Sequence, residues 1–115
     1  MPNHFEVQTR QEGDGVAVLV TSGELDLASC EQLEVALAEA IAARARHVIV
    51  DLRRLEFIDS VGLSVLIKAD RRVRKTGSRF GLVRGSGQVQ RLLGLTGLAS
   101  RVPLADTPEQ LIVGG

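Results

Sequence analysis

HVIVDLRRLEFIDSVGLSVL, His47–Leu66, holds the transition that decides the fold. Its first six residues form a β-branched, apolar run that reads as a short buried strand, His47–Leu52. Arg53–Phe57 then reads as a bridge, and Leu63, Leu66, Ile67 and Val73 recur at helical spacing beyond it. RKTG, Arg74–Gly77, closes that helix with cations near its negative end and a glycine stop. RFGLV, Arg79–Val83, resumes as a strand. A strand, a helix and a strand in this order require a right-handed crossover and a parallel pair.

Outward from this unit the pattern continues. Phe5 and Val7 alternate with polar residues, QEGDG supplies a turn, and VAVLVTSG reads as a second strand, so the chain starts with a β-hairpin. GELDLAS, Gly23–Ser29, reads as a loop. Ser29 and Gln32 have the spacing of a capping box, and Leu33, Leu37 and Ile41 predict an amphipathic helix from Cys30 to about Arg44, with Glu31, Glu34 and Glu39 towards solvent. On the other side, Ser86–Ser100 predicts a short helix ending among glycines, followed by one more strand near Val102. Thr107-Pro108 then opens a last short helix. The expected class is α/β: one domain over 1–115 with its core at about 5–112. It has a mixed sheet of four to five strands and helices mainly on one face.

Composition narrows the function classes. Hydrophobic residues make up 44% of the 115 and aromatics only 3%, so the core must be aliphatic. The lone Cys30 excludes an internal disulfide and reads as a packing residue. No apolar run approaches the ~20 residues that span a bilayer, and no basic-then-apolar leader opens the chain. The expectation is a cytoplasmic protein without a membrane segment. Net charge is zero, yet residues 1–60 carry 5 Lys/Arg against 11 Asp/Glu and residues 61–115 carry 9 against 3. Segregation of these charges would give the surface two poles.

Several catalytic patterns are missing from the sequence. There is no phosphate-cradling Gly-Lys-Ser/Thr loop and no Gly-x-Ser-x-Gly elbow, and Gly85-Ser86-Gly87 lacks the third glycine of a dinucleotide fingerprint. His4, His47 and Cys30 are too few and too scattered for a metal site. Lys68, Arg71, Arg72, Arg74, Lys75 and Arg79 form a basic cluster with no aromatic platform, which reads as a solvated helix face rather than a nucleic-acid surface.

Asp59-Ser60 falls where the central helix begins. Either side chain can cap the first turn, a role worth about 1 kcal/mol. Gly62 in that turn costs up to about 1 kcal/mol against alanine and reads as a site of close approach. A serine at a helix N-terminus also suits phosphorylation, because unpaired N–H groups and the dipole stabilise an added charge of about −1.5 to −2.

GELDLAS, VIVDLRRLEFIDSVGLSVL and VQRLLGLTGLAS, in this order and spacing, closely resemble the STAS domain of bacterial anti-sigma-factor antagonists, over about Phe5 to Ile112. The resemblance implies that Ser60 is phosphorylated by a partner that is both anti-sigma factor and ATP-dependent serine kinase. It also implies that the unphosphorylated form binds this partner to free a sigma factor, and that a metal-dependent serine phosphatase restores the serine. The partner contacts implied are Asp26, Asp59, Ser60, Val61 and Gly62, with no catalytic residue, cofactor, metal, membrane or nucleic acid involved. Gly62 would admit the partner closely. Many members carry a second hydroxyl residue where this chain has Val61, and Ser64 reads as a helix residue. Two other readings are weighed: a STAS subunit of a stress-signalling scaffold or lipid-transport assembly, and a small enzyme with Ser60 as nucleophile. The latter lacks a plausible base.

Overall fold

The computed structural model describes residues 4–113, the last through its backbone alone. Alternation pairs β1 (Phe5–Gln11) with β2 (Val16–Leu25) as an antiparallel hairpin, since Phe5, Ala17 and Leu19 bury one face while Glu6, Gln8 and Arg10 stay outside. Helix α1 (Cys30–Ala42) follows, then β3 (His47–Ile58), α2 (Ser60–Lys75) and β4 (Arg79–Val83). Short elements complete the chain: α3 (Gly87–Leu95), α4 (Leu98–Arg101), β5 (Leu104–Ala105) and α5 (Pro108–Val113). The sheet order is β1-β2-β3-β4-β5, parallel from β2 onward. Helices α1 to α4 cover one face through Leu33, Leu37, Leu66, Val73, Val89, Leu93 and Leu98. On the other face Leu111 and Ile112 of α5 close over Val18, Ile49 and Val83.

Three expectations need correction. The strand predicted over His47–Leu52 runs on to Ile58, so Arg53–Phe57 is strand and not a bridge. Its partner β2 likewise takes in Gly23–Leu25, the start of the supposed loop. Two register shifts explain both misreadings: β2 advances from Val20 to Ser22 while β3 advances from Asp51 to Arg54, and again from Gly23 to Glu24 against Leu55 to Phe57. Each bulge adds one residue to β3, so its inward positions become Leu52, Leu55 and Ile58, three apart instead of two. At the first bulge the Thr21 hydroxyl, itself buried, donates to the Asp51 carbonyl at 2.8 Å and keeps that acceptor satisfied. The third correction concerns the capping box at Ser29, which does not form: Ser29 precedes α1 but makes no side-chain cap bond.

Helices α1 and α2 end with the same hydrogen-bond pattern. In α2, Gly77 N–H bonds Arg74 O and Ser78 N–H bonds Val73 O; in α1, Arg44 N–H bonds Ile41 O and Ala45 N–H bonds Ala40 O. This doubled bond requires a left-handed residue, which α2 supplies as Gly77 at φ 81°. In α1 the position is held by Arg44 at φ 61°, the one described non-glycine residue with positive φ.

His47 opens β3 between Val16 of β2 and Arg79 of β4, and is buried. Burial, and then the Arg79 guanidinium, hold its pKa below 6.5. The unfolded chain therefore takes up a proton near pH 6.5 that the native state refuses until lower pH. The stability this contributes is complete above pH 6.5 and declines as pH falls towards the native pKa. Urea unfolding at about pH 7.5 and pH 5.5 is expected to show a loss in the wild type that His47→Gln lacks. Equal losses in both would assign the effect to other groups.

Candidate functional site

The carboxyl ends of β2 and β3 meet the start of α2. The Asp59 N–H donates to the Leu25 carbonyl at 3.2 Å, tying the last residue of β2 to the residue before the helix. Asp59 is the cap: it is extended at φ −107°, ψ −176°, and its Oδ1 accepts from Gly62 N–H at 2.8 Å. With Asp59 in that role Ser60 does not cap. It is the first residue of α2 and exposed, and its hydroxyl has no hydrogen-bond partner among the described residues. The acid and the serine thus divide two tasks, one holding the turn and one presenting a hydroxyl at the positive end of a 16-residue helix. Val61 is half-buried, and Ser64 Oγ donates back to Val61 O at 2.8 Å as an ordinary helix serine.

Gly62 is buried, which changes its expected role. A β-carbon there would lie 2.5 Å from the Leu25 carbonyl oxygen, 2.9 Å from Leu25 Cγ and 3.0 Å from Ile58 Cγ1. What approaches Gly62 closely is the chain's own β2 end.

Asp26 shapes the adjoining loop. Its Oδ1 accepts from Ala28 N–H at 3.0 Å and Ser29 N–H at 3.2 Å. The buried Ser29 hydroxyl donates to Glu24 O at 2.7 Å and accepts from Asp26 N–H at 3.0 Å. This compact turn leaves Leu27 at its tip 72% exposed, while Phe57, two positions before Asp59, is 40% exposed. Glu24 and Glu56 are also exposed at this end of the sheet, so the end that presents Ser60 carries exposed apolar side chains and carboxylates. Arg74 and Lys75, in the last turn of α2, and Arg79, which opens β4, lie at the opposite end. Basic residues gather at that far end of the strands, where Glu12 and Asp14 also lie.

Gln88 is a site-supporting residue that sequence reasoning missed. Strand β4 pairs with β3 only as far as Asp51, so Leu52–Ile58 has no neighbouring strand on that side. The Gln88 side chain of α3 substitutes for one at the end: Oε1 accepts from Ile58 N–H at 3.0 Å and Nε2 donates to Ile58 O at 2.7 Å. A glutamine in the first turn of a short helix carries no sequence signal for this. Gln88→Ala is expected to destabilise the protein by about 1–2 kcal/mol, since it leaves both backbone groups of Ile58 unpaired. It should also speed amide exchange at Ile58–Ser60; unchanged exchange there would show that Gln88 does not hold the segment.

His47 begins β3 and Ser60 follows its end, which separates them by roughly 30 Å. The two cannot pair as base and nucleophile. Among the described residues no three His, Cys, Asp or Glu side chains cluster so as to hold a metal ion, and no helix is long and apolar enough to cross a membrane.

The model of the STAS domain family matches residues 7–111. An anti-sigma-F factor antagonist of Mycobacterium tuberculosis is 32% identical over 106 residues, which are 92% of this chain and 86% of that protein. The crystal structure of an anti-sigma factor antagonist from Mycobacterium paratuberculosis superposes with a TM-score of 0.87 at 30% identity, over 99% of this chain and 96% of that one. The antagonist SpoIIAA, a Bacillus cell fate determinant, is similar in two states. Its unphosphorylated form gives a TM-score of 0.79 at 27% identity over 93% of each chain. Its phosphorylated form gives 0.73 at 26%, over 93% of this chain and 96% of that one.

Proposed function

This chain belongs to the STAS domain family, and on that premise we propose that it is an anti-sigma-factor antagonist switched by phosphorylation at Ser60. In its unphosphorylated form it binds an anti-sigma factor and so frees a sigma factor for transcription. The anti-sigma factor is also an ATP-dependent serine kinase that modifies Ser60 and is then released, and a serine phosphatase resets the protein. It works in the cytoplasm as a regulator, not as an enzyme.

The observation that carries this reading is the exposed, uncommitted Ser60 hydroxyl at the N-terminus of a helix that Asp59 already caps. A phosphoryl group there meets the first-turn N–H groups and the helix dipole without displacing the cap. Asp26 and Asp59 take part by holding two adjacent loops in one surface. Ser60 and Val61 meet the partner, and Gly62 contributes from beneath by letting Leu25 pack against α2.

The test uses the chain itself as bait in the soluble lysate of the source organism, with and without ATP. The expected result is capture of an ATP-binding kinase that ATP releases, with phosphate found on Ser60 by mass spectrometry. Ser60→Ala should capture the same protein and keep it when ATP is added. Release of Ser60→Ala by ATP would overturn the assignment.

A further inference from the structure

At the other end of the sheet the β1–β2, α1–β3 and α2–β4 turns surround an open cleft of about 960 Å³. Arg44, Arg46 and Arg79 line it, together with Glu12 and Asp14. Both carboxylates are engaged: Asp14 pairs with Arg46 at 3.6 Å, and Glu12 with Arg10 at 3.3 Å. Arg46 is further tied down by the Asp14 carbonyl at 2.9 Å. Arg44 and Arg79 have no acidic partner among the described residues. Buried His47 lines the same cleft, and its ring has no hydrogen-bond partner among the described residues. Two uncompensated guanidinium groups and an unsatisfied imidazole on one cavity complement a small, multiply charged oxyanion.

Arg44 supplies an independent observation. Its left-handed position is the one that α2 fills with Gly77, and glycine adopts that backbone without steric cost. An arginine held there is strained, and Arg44 is one of the residues that line the cleft. Strain retained at one position, with the unstrained solution used at the equivalent turn, points to a use for the side chain.

We propose that this cleft binds a small phosphate-bearing anion through Arg44, Arg79 and His47. The guanidinium forks take phosphate oxygens in pairs and the imidazole adds one donor, while Arg46 and Asp14 form a wall. The site lies at the far end of β3 from Ser60 and does not depend on the phosphorylation switch.

The test is a titration of the folded protein with inorganic pyrophosphate at constant ionic strength, followed by NMR. Saturable shifts are expected in the amides of residues 44–47 and 77–79, with the His47 ring protons moving towards their protonated positions. Arg44→Gly is expected to weaken binding at least fivefold while raising the melting temperature, which separates loss of a ligand contact from loss of the fold. Arg71→Gln, on the solvated flank of α2, should bind as the wild type does. Shifts that never saturate would overturn the proposal. So would binding that Arg44→Gly leaves intact, or that Arg71→Gln weakens equally.

Discussion

Ser60→Asp is expected to bind the anti-sigma partner at least tenfold more weakly than the wild type and yet to melt at a higher temperature. The two effects have opposite signs because they arise in different places. Within the chain, position 60 is the first residue of α2 and exposed, so a carboxylate there meets unpaired N–H groups and the positive end of the dipole. That interaction stabilises by about 0.3–1 kcal/mol, or roughly 1–4 °C for a domain of this size. At the interface the same carboxylate must be desolvated beside Asp59, with Asp26, Glu24 and Glu56 at the same end of the sheet. An unpaired charge buried against a partner costs well over the 1.4 kcal/mol that equals a factor of ten. Calorimetric titration of the captured partner and a thermal melt of the variant alone read the two quantities separately. Unchanged affinity with a raised melting temperature would mean that charge at position 60 stabilises the helix and does not release the partner.

Gly62→Ala carries the second large effect. In an open helix the change would stabilise by up to about 1 kcal/mol. Here the new β-carbon would stand 2.5 Å from the Leu25 carbonyl oxygen. Relief requires movement of β2's end, because Leu25 is fully buried and the obstacle is backbone. Overpacking of this kind costs about 3 kcal/mol, which leaves a net loss near 2 kcal/mol, or about 8 °C. Partner binding should fall as well, although Gly62 is buried, because the displaced carbonyl is the one that receives the Asp59 N–H. A melting temperature within about 2 °C of the wild type would show that the β2 end yields freely and that the two loops are not coupled through this contact.

The sequence alone determined most of the architecture. Leu33 and Leu37, then Leu63, Leu66 and Val73, recur at the spacing of buried helix faces, and that periodicity follows from helix geometry alone. The run from His47 to Leu52 announced a buried central strand, and the crossover to β4 followed from the handedness of such units. Asp59-Ser60 was legible as a helix start, because capping is a local interaction within one turn.

Tertiary structure alone decided three further things. Which of Asp59 and Ser60 caps the helix depended on Leu25 holding the Asp59 N–H from another strand. The length of β3 was hidden because two bulges, set by pairing with β2, turn its inward period from two to three and disguise Leu55 and Ile58 as bridge residues. Gln88, 30 positions from Ile58, became part of the site only where β4 stops short and leaves a strand edge to be satisfied. In each case the deciding hydrogen bond joins residues far apart in the chain. Periodicity and capping report neighbours within a turn or two, and cannot report a carbonyl that folding brings from another strand.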